Sequence, residues 1–199
     1  MRSFTKLGLR LLLVGVCALV TRNALAQEKA KVGDKAPKFE ATDDQGKTWK
    51  STDHVGKKIV VLYFYPADFT GGCTKQACGF RDDIEKLNGL EVEVVGVSGD
   101  SANTHKLFKS YHKLTFTLLA DEKGDIAKLF GVKAKPGGTA KGVGVDESGN
   151  KIDVVRGVTI PRFTVVIDKS GTIAAIDQVS DAAGDSRRVA NVIKKLASK

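Results

Sequence analysis

The chain has 199 residues, 42% of them hydrophobic, which is enough for one domain with a substantial buried core. Its formal net charge is +9, but the basic residues are scattered, and no aromatic platform or nucleic-acid-reading motif accompanies them. We therefore expect a basic solvated surface and no nucleic-acid partner. No stretch reaches the roughly 20 apolar residues that a transmembrane helix requires.

The chain opens with the pattern of a secretory signal peptide. Three basic residues lie within the first ten positions, an uncharged apolar run follows over 11–20, and small residues at 24–26 suit a cleavage site. We expect cleavage after Ala26 and export to the periplasm or the extracellular space. Residues 27–199 would then form a single domain.

A buried strand followed by a helix dominates the next part of the sequence, after a polar segment in which we expect a β-hairpin with Trp49 packed near it. Residues 57–65 are apolar and rich in β-branched and aromatic side chains, which predicts a buried strand ended by Pro66. After Gly71 and Gly72, apolar residues recur with helical spacing, at Ala77, Phe80, Ile84 and Leu87.

Cys73 falls in the first turn of this predicted helix. The unpaired N–H groups and the positive end of the helix dipole favour the thiolate, which is the nucleophilic form of cysteine. We therefore predict that Cys73 is reactive. Cys17 would leave with the signal peptide, so the mature chain keeps only Cys73 and Cys78.

Two cysteines in an exported protein ordinarily form a structural disulfide. On an α-helix, however, a spacing of five residues separates two Cα atoms by about 8.7 Å. A disulfide usually requires less than about 7 Å. A bond between Cys73 and Cys78 would therefore require local unwinding of the helix.

Strands and helices alternate after this point. The predicted helix over 102–111 has candidate N-caps at 100–104, and we expect it to bury Leu107, Phe108 and Tyr111 while His105 and His112 face solvent. The other predicted elements are strands at 91–98 and 115–119, a short helix at 125–130, a hairpin of 162–168 with 173–177, and a closing helix with Val189, Val192, Ile193 and Leu196 inward.

The segment 131–156 is rich in Gly and Lys. We interpret 142–145 as a flexible loop without the ending of a phosphate-binding loop, and 146–150 as a hairpin-like turn. The element order predicts a thioredoxin-like, three-layer α/β/α domain with a central mixed sheet and an N-terminal β-hairpin extension.

The residues around Cys73 resemble the peroxiredoxin pattern of proline, three residues, threonine, two residues, cysteine, here Pro66, Thr70 and Cys73. Cys78 five residues later, the Gly79-Phe80-Arg81-Asp82 sequence and Arg162 before 163–168 resemble the Q, or bacterioferritin comigratory protein, subgroup. The resemblance covers most of residues 31–195. One departure is Gly71, where the subgroup commonly has proline.

The resemblance implies a thiol peroxidase that reduces hydrogen peroxide and organic hydroperoxides. Cys73 would be the peroxidatic cysteine, Cys78 the resolving cysteine, and Thr70, Pro66 and Arg162 would form the pocket. It further implies a monomer that needs no cofactor or metal and is recycled by a thioredoxin-like protein. Chemistry agrees, because O–O cleavage needs a thiolate and donors that stabilise the leaving oxygen.

Other functions remain open. A thiol-disulfide oxidoreductase of the same fold is the main alternative, although the C-x-x-C motif of thioredoxins is absent. A non-catalytic binding domain and a cysteine hydrolase using one of the histidines are further alternatives. A metal site is poorly supported, because C-x4-C has no second ligand pair nearby.

Overall fold

The computed structural model describes residues 29–84 and 90–198. The predicted signal peptide, with Cys17, and Leu87 of the predicted helix stripe lie outside these residues. The elements of the described part are β1 (Glu40–Asp43), β2 (Thr48–Lys50), β3 (Ile59–Phe64), α1 (Gly71–Ile84), β4 (Val92–Ser98), α2 (Ala102–His112), β5 (Thr117–Ala120), α3 (Asp125–Leu129), β6 (Lys135–Val145), β7 (Lys151–Thr159), β8 (Phe163–Ile167), β9 (Ile173–Gln178) and α4 (Asp185–Ala197).

Seven strands form one sheet in the order β2-β1-β5-β4-β3-β8-β9. The pairs β3–β4 and β4–β5 are parallel, whereas β8 runs antiparallel to both β3 and β9. The predicted mixed sheet and the hairpin after residue 162 are thus confirmed. Every residue of β3 is buried, as its continuous apolar sequence predicts for a central strand covered on both faces.

Helices cover both faces of the sheet, so the predicted three-layer architecture is confirmed. Val61 and Tyr63 of β3 pack with side chains of α1, α2 and α4. The alternate side chains of β3 point to the opposite face, where α3 and the segment before β1 close a second core. No helix of the described part is long and apolar enough to cross a membrane.

The N-terminal hairpin consists of β1 and β2, and β1 joins the main sheet by pairing with β5. Trp49 of β2 is buried and its ring lies 5.4 Å from that of Phe39. The predicted packing of Trp49 is therefore confirmed.

The interpretation of 142–145 as a loop is wrong, because these residues lie in β6 of a long two-stranded hairpin, β6–β7. Antiparallel pairing uses backbone groups that every residue carries, so glycines weaken a ribbon without preventing it. The pairing of β6 with β7 is irregular at one point, where the register shifts between Ala140 and Gly144. The predicted turn is confirmed: the Asp146 carboxylate accepts N–H groups of Ser148 and Asn150.

Helix α2 buries Phe108 as predicted, but the rest of its buried face differs from the prediction. Its N-cap is Ser101, whose side chain accepts the Thr104 N–H, as the sequence indicated. His105, however, is fully buried and Tyr111 is 57% exposed, so both assignments were wrong. The reason is that hydrogen-bonding partners enclose His105, which makes a polar ring tolerable in the core.

Candidate active site

Cys73 is the third residue of α1, so its predicted position in the first turn is confirmed. The Thr70 carbonyl accepts the Thr74 N–H at 2.8 Å, which closes this turn. The Cys73 side chain is buried, because α1 packs on the sheet through Ala77 and through Phe80. Cys73 and Cys78 are free thiols, and Cys78 is half-buried further along the same helix.

Arg162 directly precedes β8, which pairs with β3, so it stands at the edge of the sheet where β3 leads toward α1. Its Nη2 group lies 3.3 Å from Cys73 Sγ. A guanidinium keeps its positive charge at every relevant pH. The structure therefore places a permanent cation and a hydrogen-bond donor against the sulfur.

A buried polar chain continues from Arg162 to α4. Gln76 Oε1 accepts a hydrogen bond from Arg162 Nη1 at 2.5 Å, and Gln76 Nε2 donates to Asp185 Oδ2 at 2.7 Å. The hydroxyl of Thr164 donates to the same Asp185 oxygen at 2.6 Å. Sequence reasoning missed Gln76 and Asp185. The available signal was the position of Gln76, three residues after Cys73 on the same helix face.

The turn between β3 and α1 carries Pro66 and Thr70. The Thr70 hydroxyl donates to the Ala67 carbonyl at 3.0 Å, and Pro66 is half-buried. Phe69 has a φ of 58°, which is unusual for a residue with a large side chain. Such strained conformations occur where the surrounding structure holds the backbone in place.

A second cluster of buried polar side chains supports the turn between β3 and α1. Asp68 accepts a hydrogen bond from the Tyr65 hydroxyl at 2.7 Å and lies 2.7 Å from His105 Nδ1. His105 Nε2 lies 3.1 Å from the Leu119 carbonyl. Because both ring nitrogens face acceptors, the doubly protonated imidazolium satisfies every contact.

Burial and the Asp68 charge shift the pKa values of three neighbouring side chains, His105, Asp100 and Tyr65. Burial alone lowers the pKa of His105, but the Asp68 carboxylate and its hydrogen bond outweigh burial, so this pKa is raised above 6.5. Burial, then the Asp68 charge, raises the pKa of Asp100, whose Oδ2 accepts the Asp68 N–H at 3.0 Å. Burial likewise raises the pKa of Tyr65 well above its usual range.

Within residues 29–84 and 90–198, no group of three or more His, Cys, Asp or Glu side chains is placed to hold a metal ion.

The fold and this geometry define a thioredoxin-fold protein centred on a buried cysteine at a helix N-terminus, with an arginine against the sulfur. Residues 32–176 match the profile of the AhpC/TSA family. The chain belongs to this family and, within it, to the Q-type peroxiredoxins.

Relatives from plants and bacteria carry this assignment. The chloroplastic peroxiredoxin Q of Oryza sativa subsp. japonica is 41% identical over 155 residues, covering 78% of this chain and 62% of that protein. The putative peroxiredoxin bcp of Coxiella burnetii is 40% identical over 149 residues, covering 73% and 87% respectively. The chain thus spans about three fifths of the length of the chloroplastic relative.

Among solved structures, peroxidoxin BcpB from Mycobacterium tuberculosis is similar to this chain with a TM-score of 0.69. The two are 26% identical, and the match covers 84% of this chain and 98% of that one.

Proposed function

We propose that this chain is a thiol peroxidase with Cys73 as the peroxidatic residue. The observation that carries the proposal is the 3.3 Å contact between Arg162 Nη2 and the buried Cys73 sulfur in the first turn of α1. The helix N-terminus and the guanidinium both place positive charge beside this sulfur. Family membership supports the same chemistry.

In the proposed reaction, the Cys73 thiolate attacks one oxygen of the peroxide and the O–O bond breaks. The other oxygen takes up a proton from solvent, to which the thiol had earlier lost one, and leaves as water or an alcohol. The sulfur becomes a sulfenic acid. Arg162 is suited to stabilise the charge that grows on the leaving oxygen. Pro66, which has no N–H, would shield the sulfur from water, and Thr70 would contact the bound peroxide.

We further propose that Cys78 is the resolving residue. Its sulfur would attack Cys73 sulfur, break the S–O bond and release water, which leaves a disulfide within α1. Two electrons from an external dithiol then restore the reduced enzyme, and a thioredoxin-like protein is the proposed donor. The proposed substrates are hydrogen peroxide and organic hydroperoxides, and the proposed form is a monomer.

Stopped-flow mixing with peroxide tests this function directly. With a thioredoxin-like reductant present, wild type should consume peroxide over repeated turnovers, Cys73→Ser should not react, and Cys78→Ser should react once and stop. Intact mass of Cys78→Ser should then show one added oxygen on the protein. Arg162→Lys is a charge-matched control that keeps the cation but loses the planar fork, and it should react more slowly than wild type.

Two results would overturn the proposal. The first is a wild-type reaction no faster than that of a free thiol. The second is efficient reduction of insulin disulfides without peroxide consumption, which would favour a thiol-disulfide oxidoreductase.

We also propose that the first 26 residues direct export, on the basis of their basic, apolar and small-residue pattern. Expression of the full chain in a bacterial host, followed by fractionation and N-terminal sequencing, should find a product that begins at Gln27. An uncleaved product retained in the cytoplasm would contradict this.

A further inference from the structure

We propose that Asp185 is a positioning residue, which holds Arg162 against Cys73 by fixing the side-chain amide of Gln76. This inference rests on the proposed function of Cys73. Asp185 lies at the first position of α4, far from Cys73 in sequence, and it does not contact the sulfur itself. Its effect would pass through two hydrogen bonds.

The direction of these hydrogen bonds follows from the chemistry of each group. A carboxylate can only accept, so Asp185 has to receive the amide NH₂ group of Gln76. The amide oxygen of Gln76 then points the other way, toward Arg162, which can only donate. Asp185 thereby selects the one amide orientation that binds the guanidinium.

Burial makes this arrangement stable and specific. Gln76 is fully enclosed and Asp185 is 1% exposed, so water cannot replace a lost partner. The Thr164 hydroxyl binds one oxygen of Asp185, and Arg188 Nη2 binds the other at 2.7 Å. Asp185 is thus anchored from the sheet and from α4 while it binds Gln76 on α1.

Asp185 could instead serve only to dock α4 on α1, and the test has to separate the two roles. Asp185→Asn leaves one acceptor oxygen for donors on both sides, so either Gln76 or Arg188 loses its acceptor. Gln76→Glu brings a second carboxylate against Asp185, and like charges in a buried site repel. Each single change should displace Arg162.

Exchanging the two groups should restore the network. In the double variant Gln76→Glu with Asp185→Asn, the new amide at 185 donates to the new carboxylate at 76. That carboxylate still accepts from Arg162, the amide oxygen at 185 still accepts from Arg188, and the Thr164 hydroxyl can rotate to accept. Rescue of this kind reports the hydrogen-bond polarity and not merely the packing.

The experiment is done with full-length protein in a Cys78→Ser background. It measures the rate of Cys73 alkylation by iodoacetamide at fixed pH, the rate of reaction with hydrogen peroxide, and unfolding by urea. Each single variant should lower both rates by about tenfold, which is less than the roughly hundredfold loss that a 1 Å misplacement of a reacting group can cause. The double variant should recover most of both rates. Asp177→Asn, which removes only the charge of the outer partner of Arg188 (Nη1 to Oδ2, 2.6 Å), is the control and should leave both rates unchanged.

Unchanged rates in folded single variants, or a double variant as slow as the slower single one, would overturn the positioning role. Single variants that lose stability but keep the alkylation rate would show that Asp185 only docks α4, which also overturns it. If wild type failed to react with peroxide, the proposed function would be wrong, while the alkylation rates would still decide the role of Asp185.

Discussion

His105 and Asp68 form an ion pair that protein encloses completely: Nδ1 lies 2.7 Å from Oδ2, and neither side chain is exposed. The pair joins α2 to the turn that leads into α1, and therefore supports the backbone just before Cys73. Breaking one partner of a buried pair leaves the other charge uncompensated, which typically costs about 3 to 5 kcal/mol.

Replacing His105 should therefore destabilise the protein in a pH-dependent way. The folded-state pKa of His105 is raised, so its contribution to stability is complete below the unfolded pKa of about 6.5 and is lost as pH rises through the folded value. The loss in unfolding free energy caused by His105→Leu should be larger at about pH 5.5 than at about pH 9. Urea unfolding of wild type and variant across this range measures it, and His105→Asn serves if the leucine variant does not fold.

His112 supplies the control, because its shift has the opposite sign. Burial, assisted by the charge of Arg81, lowers the pKa of His112. The cost of His112→Gln should therefore not grow toward low pH. Equal pH profiles for the two variants would contradict the assignment of the charged pair to His105.

The left-handed backbone of Phe69 should carry measurable strain. Phe69→Ala and Phe69→Gly both remove the ring that packs edge-on against Phe108 at 5.2 Å. The difference between their free energies of unfolding therefore reports the cost of the backbone conformation. At a φ of 58°, a residue with a Cβ costs about 1 kcal/mol or more relative to glycine. We expect Phe69→Gly to be the more stable of the two in urea unfolding. The reverse order would show that the turn relaxes once the ring is gone.

Gly71→Pro should stabilise the protein by about 0.4 to 1 kcal/mol, because proline restricts the unfolded chain. Gly71 begins α1, where proline fits and its missing N–H has no helical partner. Its φ is not in the left-handed region, and an added Cβ meets nothing within 4 Å. Urea unfolding tests this, with Gly71→Ala as the control for loss of glycine alone. A proline variant less stable than wild type would contradict the prediction.

The predicted site residues belong to patterns that are visible within a short stretch of sequence. Cys73 follows a strand, a turn and two glycines, and Arg162 precedes an apolar strand, so both could be placed before their contact was known. Hydrophobic periodicity likewise indicated the central sheet and the burial of Ala77 and Phe80 in α1. Each of these signals is local in sequence. The pairing of β3 with β8 then brings Arg162 close to Cys73.

The residues that were missed depend on partners distant in sequence. His105 was placed in solvent because a lone histidine on a helix carries no sign of its partner, Asp68, 37 residues away. Gln76 and Asp185 are 109 residues apart, and nothing local links them. Tyr111 was assigned to the core by its ring, whereas the geometry of α2 directs His105 and Phe108 inward.

Helix α1 should unwind locally whenever Cys73 and Cys78 form a disulfide. Both thiols are free on the continuous helix Gly71–Ile84, where helix geometry separates their Cα atoms by about 8.7 Å against the roughly 7 Å that a disulfide tolerates. After oxidation with one equivalent of peroxide, amides of residues 74–81 should exchange hydrogen faster than in the reduced protein, because their helical hydrogen bonds are broken. Amides of α4 in the same samples provide the internal control. Equal protection of 74–81 in both states, with the disulfide verified by mass, would contradict this and would require the bond to form on an intact helix.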